Sequence, residues 1–192
     1  MKGGNFPLPR VPLNAFLSYE KYESIKGNGP SVRWDMIESG SIKYSSDLNM
    51  VRTEFNTMHN GEVTDISGSI DDRDSHKYLE YSKFSRQCAP KNVQRKGSVR
   101  QELESLFTSG SYEGVGACYF DNSSNRYHKL QINSGDGTDF YFYHEKTLAL
   151  TWSHKFDGEK QYKYYYGNGY TPKNFLVTEI KLDLCNKVSF LN

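Results

Sequence analysis

This chain of 192 residues lacks most of the signatures that announce an enzyme, a metalloprotein or a membrane protein. Its three cysteines, Cys88, Cys118 and Cys185, are odd in number, widely spaced and form no C-x-x-C pair. That pattern excludes a dense disulfide scaffold and predicts reduced thiols in a reducing compartment. No apolar run reaches the roughly 18 residues a membrane helix needs. The N-terminal MKGGNFPLPRVPLNAF places prolines where an export signal needs an apolar stretch, and no myristoylation glycine or prenylation cysteine is present. A soluble, cytoplasmic protein is therefore expected. Excess charge is missing too: Lys and Arg total 24 against 23 Asp and Glu, so the chain as a whole has no drive toward nucleic acid or anionic lipid.

Aromatic side chains are what the chain does have. Fifteen tyrosines, with an overall aromatic content of 15%, are too many for a disordered chain despite a mean hydropathy of −0.76. The length suits one core. The expected fold class is β-rich (α+β): an antiparallel twisted sheet or sandwich, one or two packed helices, and an extended Pro-containing arm over residues 1–14 ahead of a single globular domain, 15–192. Pro7, Pro9 and Pro12 disfavour a helix in that arm, which offers a clasp for a homo-oligomer.

Within the domain, Phe16, Tyr19 and Tyr22 fall at helical spacing and predict a short helix over Leu13–Ile25. Short alternating pieces from Ser31 to Ile70 read as strands. Arg86–Arg100, with five basic residues and no acidic one, reads as a mobile loop. Ser98–Phe107 is the clearest helix: Ser98 caps it, Gln101 completes a capping box, and Val99, Leu103 and Leu106-Phe107 form a stripe that packs on the sheet. Further strands are expected near 116–120, 127–132, 138–144, 147–156, 160–166 and 175–184.

The most informative stretch is 139–170. Asp157-Gly158 between alternating runs predicts a two-residue hairpin with Phe156 opposite Glu159 and Trp152 opposite Lys163. Leu148, Leu150, Trp152 and Tyr165 then form the core face, and Ala149, Thr151 and Ser153 lie beside Tyr162, Tyr164 and Tyr166 on the other. An open tyrosine row of that kind suits stacking against sugars, bases or a protein. A buried Tyr-Thr ladder is the competing structural reading. The candidate ligand-binding residues are accordingly Tyr162, Lys163, Tyr164, Tyr166 and, at the tip of the Gly167–Pro172 loop, Tyr170.

Catalytic patterns are sparse. Cys118, His128 and Asp136 or Asp139 occur in the order of a cysteine hydrolase. His128, His144 and His154 offer imidazoles on neighbouring strands for a metal. Glu179-Ile180-Lys181 with Asp139 or Asp157 upstream has the carboxylate and lysine order of metal-dependent nucleases. Lys91, Arg95, Lys96 and Arg100 offer a phosphate contact.

Gly114-Val115-Gly116-Ala117-Cys118-Tyr119-Phe120, followed by Ser124 and Tyr127, resembles the G-x-G-x-Y-F block and later Ser-x-x-Tyr of poly-ADP-ribose polymerase-like transferases. Phe107-Thr108-Ser109-Gly110-Ser111 likewise resembles the F-x-S-x-S piece of toxin-type ADP-ribosyltransferases. The resemblance implies an NAD-using transferase, with Tyr127 and Glu179 as the catalytic candidates. It does not extend to a His-Gly-Thr entry motif, and Asn174 stands where a glutamate is expected. The reading that best fits the whole sequence is a non-catalytic recognition module of viral, phage or effector type, binding a protein or glycan without cofactor or membrane. The alternatives are the transferase, a metal-dependent nuclease and a self-assembling structural protein.

Overall fold

A computed structural model describes residues 12–25, 32–93, 97–134, 137–157, 160–167 and 169–185. Six strands come first: β1 (Asn14–Ile25), β2 (Arg33–Ser45), β3 (Met50–His59), β4 (Glu62–Asp72), β5 (Lys77–Ser82) and β6 (Gln87–Lys91). Tight turns explain why they form a meander. Asn60 and Gly61, at φ 50° and 82°, supply the two positive dihedrals a type I′ turn needs between β3 and β4. The turns 46–49, 73–76 and 83–86 each close on a left-handed residue, Asn49, His76 and Arg86.

Helix α1 (Val99–Thr108) leads to a second meander of β7 (Ser111–Gly116), β8 (Tyr127–Ser134), β9 (Gly137–His144), β10 (Leu150–Asp157) and β11 (Lys160–Tyr165). β11 lies antiparallel beside β1, so both meanders share one open antiparallel sheet, ordered β6-β5-β4-β3-β2-β1-β11-β10-β9-β8-β7. The short β12 (Thr171–Pro172) also pairs with β1, and α2 (Val177–Ile180) and a 3-10 turn (Asp183–Cys185) follow.

The β-rich class with few helices is as expected, and Ser98 with Gln101 forms the capping box at α1. Several local expectations are overturned. Leu13–Ile25 is not a helix: Asn14–Ile25 is strand β1, hydrogen-bonded to β2 along its whole length. Ala15, Leu17 and Tyr19, at spacing two, are its buried hydrophobic residues, and this period outweighs the coincident spacing of Phe16, Tyr19 and Tyr22. The strand expected over 116–120 ends at Gly116, and that expected over 175–184 is α2 and the 3-10 turn. Part of the supposed basic loop is the edge strand β6, where Pro90 costs no interior hydrogen bond. Residues 1–11 of the arm lie outside the described residues, whereas Pro12 accepts a hydrogen bond from the Tyr44 hydroxyl at 2.9 Å.

Register sorts the side chains onto two faces. One carries Leu17 and Tyr19 with Leu130, Tyr143, Leu150 and Tyr166, the largest aromatic core, and is capped at one end by Val99 and Leu103 of α1 against Ala15 and Tyr44. Gly40 lies opposite Tyr19, and a Cβ there would stand 2.9 Å from the tyrosine ring, so the glycine makes room for it.

The reverse face carries two separate clusters. Met50, Ile70, Leu79 and Tyr81 are roofed by Phe175, Ile180 and Cys185 of the C-terminal segment. Cys118, Tyr127 and Phe142 form the other, with Phe120 and Trp152 packed against them. A disulfide, Cys88–Cys185, fastens the C-terminal roof to β6 across 97 residues of sequence. This corrects the expectation of three reduced cysteines, and with it the argument for a reducing compartment: spacing along the chain says nothing of a pair that the sheet brings to a Cα separation of 5.4 Å. Among the described residues no helix is long and apolar enough to cross a membrane.

Candidate functional site

The tyrosines singled out in the sequence lie on the aromatic core side. Tyr166 is buried and its hydroxyl bonds Ser153 Oγ at 2.9 Å; Tyr164 stacks parallel to it with ring centroids 6.1 Å apart and meets Tyr19 at 6.0 Å. Burial pushes the phenol of Tyr164 well above its ordinary range, and that of Tyr166 likewise. Tyr170 is not at an exposed tip. It packs edge-on against Tyr44 at 5.8 Å, and burial raises its pKa to about 12, because β12 ties the segment to β1. Tyr162 is half-buried beneath the Lys21 ammonium, 4.7 Å from its ring. Tyr164, Tyr166 and Tyr170 therefore read as interior with Tyr162 half-buried beside them, and of the residues expected to form the core face Leu150 is buried as expected while Trp152 and Tyr165 lie on the more open side.

The hairpin explains the reversal. Trp152 pairs with Tyr165, Ser153 with Tyr164 and Phe156 with Gln161, a register two residues from that expected, and Gly158 and Glu159 lie outside the described residues. A shift of two preserves which residues share a face, but a bulge between Leu150 and Trp152 moves Leu150 onto the tyrosine side, where it packs with Tyr143 and Tyr166. It was the choice of buried face that failed, because Tyr164 and Tyr166 bring more area to the core than their threonine and serine neighbours suggest.

On the open face, two clefts of about 370 and 480 Å³ meet at Tyr165 and Gly167. Tyr165, 37% exposed, is the aromatic residue common to both, and Trp152 extends the floor of the second, their ring centroids 4.6 Å apart and tilted by 41°. The first cleft is walled by the polar residues of β1–β3, among them Ser18, Glu20, Ser39, Ser41 and Asn56. Asp121, Asn125 and His144 line the second. Strand alternation explains the first wall: these positions face away from Leu17, Tyr19, Ile42 and Phe55, and neither the C-terminal roof nor the 117–126 loop lines that cleft.

Lys163, expected as a rim charge, is enclosed by rings. Its ammonium lies 4.9 Å from the Tyr22 centroid, 5.1 Å from Trp34, 5.5 Å from Phe120 and 5.9 Å from Trp152. Burial lowers its pKa, and the ring faces compensate the charge. This cage holds the 117–126 loop through Phe120 and fixes one side of Trp152. Lys163 and Trp152 are singled out together in the sequence reading; Phe120 enters it only within the transferase-like block, and Trp34, distant along the chain, does not enter it.

The catalytic candidates are engaged in structure. Cys118 is buried, and that burial lifts its thiol to about 11, far from a thiolate nucleophile at neutral pH. The three imidazoles serve different neighbours: His128 Nδ1 bonds the Tyr112 hydroxyl at 2.9 Å, His154 Nδ1 the Tyr119 hydroxyl at 2.5 Å, and His144 Nδ1 accepts from the Lys146 amide at 3.3 Å. Tyr127 donates to Asp121 inside the second reverse-face cluster, while Glu179 accepts from Lys173 Nζ and the Leu176 amide, both at 2.9 Å. Of the basic candidates, Lys91 pairs with Glu80 at 3.4 Å and Arg100 with Glu104 at 2.8 Å; Arg95 and Lys96 lie outside the described residues. Among the described residues no group of three or more His, Cys, Asp or Glu is placed to hold a metal ion.

No protein-family model matches the chain, and no curated protein does. Among solved structures it is similar to a LolA superfamily protein from Nitrosomonas europaea, at 7% identity and a TM-score of 0.41, over 91% of this chain and 93% of that one.

Proposed function

We propose that this chain is a non-catalytic recognition module and that its ligand is a glycan, held in the double cleft over Trp152 and Tyr165. One observation carries the reading: a tilted pair of aromatic rings forms an uncovered floor between walls of hydroxyl, amide and carboxylate side chains. A pyranose offers the complementary surface, with apolar C–H groups on its faces and hydroxyls around its edge. Stacking on the floor and hydrogen bonding to the walls use the two in the same pose. Rigidity favours this as well, since the floor lies on paired strands and Trp152 is steadied by Phe120 and the caged Lys163.

A glycan array probed with the purified chain, followed by calorimetry on the ligands retained, tests the proposal. Tyr165→Ser is expected to weaken binding about tenfold, in keeping with the roughly 1–2 kcal/mol of an aromatic contact. Tyr162→Ser, on the opposite face, leaves it unchanged. Retention of no glycan, or equal binding by Tyr165→Ser, overturns the reading.

A further inference from the structure

Resting on that reading of the cleft, we infer that its ligand is a sugar carrying a free ammonium group, a hexosamine unit whose nitrogen is not acylated, recognised by Glu20. Three carboxylates line the two clefts, and they are not equivalent. Glu54 is neutralised, its Oε2 lying 2.5 Å from Arg52 and 2.9 Å from Lys83. Asp121 is saturated by the 117–126 loop, accepting from the Ser123 amide and hydroxyl, Asn125 and the Tyr127 hydroxyl. Glu20 differs. Its Oε2 accepts from the Tyr22 hydroxyl at 2.5 Å, and among the described residues it has no other hydrogen bond and no ion pair.

Its position is also the useful one. Glu20 lies directly across from Tyr165 on β11 and from Ser39 on β2, so its carboxylate stands at the edge of the aromatic floor with a hydroxyl beside it. No lysine or arginine lines either cleft among the described residues. Lys163 is held by Tyr22, Trp34, Phe120 and Trp152 and makes no described ion pair with Glu20. The cleft thus presents one half-buried carboxylate without a countercharge next to a ring-stacking surface. A stacked sugar that places an ammonium at its rim supplies that countercharge through a charge-assisted hydrogen bond, and the neighbouring ring adds to the attraction. An acetamido group offers only a neutral donor there, and a uronate is repelled.

Calorimetry with a glucosamine tetramer, its fully N-acetylated counterpart and a galacturonate tetramer separates these cases. The glucosamine tetramer is expected to bind at least tenfold more tightly than the acetylated one, with the galacturonate tetramer weakest. Glu20→Gln keeps an acceptor for the Tyr22 hydroxyl, so the fold and the floor stay intact. It is expected to abolish the tenfold preference by weakening the glucosamine tetramer about tenfold more than the acetylated one. Equal affinity for the two glucosamine forms, or a preference that survives Glu20→Gln, overturns the inference and leaves the glycan cleft standing. If none of the three binds, and Tyr165→Ser changes nothing on the array, the cleft reading falls and takes the inference with it.

Discussion

Tyr164 and Tyr165 are neighbours in the chain and opposites in the structure. Tyr164 stacks on Tyr166 and meets Tyr19 at a tilt within the aromatic core, whereas Tyr165 lies on the reverse face beside Trp152, 37% exposed, in the floor of an open cleft. Both are tyrosines on β11 with serine or aromatic partners across β10, so side-chain type does not separate them. What does is the parity of the strand and the cover over each face. One face closes on itself through aromatic packing and α1. The other is covered only in patches, by the C-terminal roof and the 117–126 loop, and the strip between lies open as the first cleft.

The strongest way to break this contrast is to truncate the buried member of the row. Tyr166→Ala removes a ring that is 6% exposed and its hydroxyl bond to Ser153, and is expected to cost about 3–5 kcal/mol, a loss visible as a large fall in Tm. Unchanged stability would show the tyrosine row to be open after all, and would return the site to Tyr162, Tyr164 and Tyr166.

Next in size is the clasp that covers one end of the reverse face. The Cys88→Ser, Cys185→Ser double variant frees a roof tied across 97 residues of sequence and is expected to lose about 2–4 kcal/mol. The hydrogen bonds from Lys43 and Arg52 to the Glu179 carbonyl, each at 3.3 Å, keep the roof from detaching fully. Tryptophan fluorescence should therefore change little, because Trp34 and Trp152 lie with the other cluster. A large change in that signal would mean that the two clusters are coupled and the strip between them is not independent.

Acid should act on the two reverse-face clusters at different pH. Burial holds His154 below its ordinary pKa of 6.5, so the neutral form is favoured by folding. Its contribution to stability is present above about pH 6.5 and lost as pH falls through the folded value. Glu54 is opposite in chemistry but parallel in direction. Burial alone would raise its pKa, yet hydrogen bonds from Lys83, Arg52 and Tyr81 bring it down to about 2. Its contribution is therefore present above 4.5 and lost as pH falls toward about 2. Thermal scans across pH should show an early decline that His154→Phe flattens and a later one that it leaves alone. An unaltered early decline in the variant would assign it elsewhere.

Much of this was legible in the residues. Turn residues and alternation delimit the second meander, and Ser98 with Gln101 marks the start of α1. β1 was misread because Phe16, Tyr19 and Tyr22 satisfy helical spacing while Ala15, Leu17 and Tyr19 satisfy strand spacing, and only pairing with both β2 and β11 decides between them. The stretch that carries the proposed cleft is the one the sequence singles out, but by its other face: local sequence cannot say which side of a two-sided strand other elements will cover. Glu20, Trp34 and Ser39 were out of reach for the same reason, since they join the cleft and cage only when β11 docks on β1.

The smallest stability effect carries the most information about function. Tyr165→Ser removes a ring in contact with Trp152 but leaves the aromatic core and the cage of Lys163 in place, so it is expected to cost under about 1 kcal/mol. Tyr166→Ala, one residue away, is expected to cost several times that. If the neighbouring substitutions separate in this way, and only Tyr165→Ser weakens a retained glycan about tenfold, stability and recognition reside on opposite faces of one strand. A Tyr165→Ser variant as unstable as Tyr166→Ala would instead make Tyr165 a packing residue, and the strip between the clusters would lose its claim to be a binding surface.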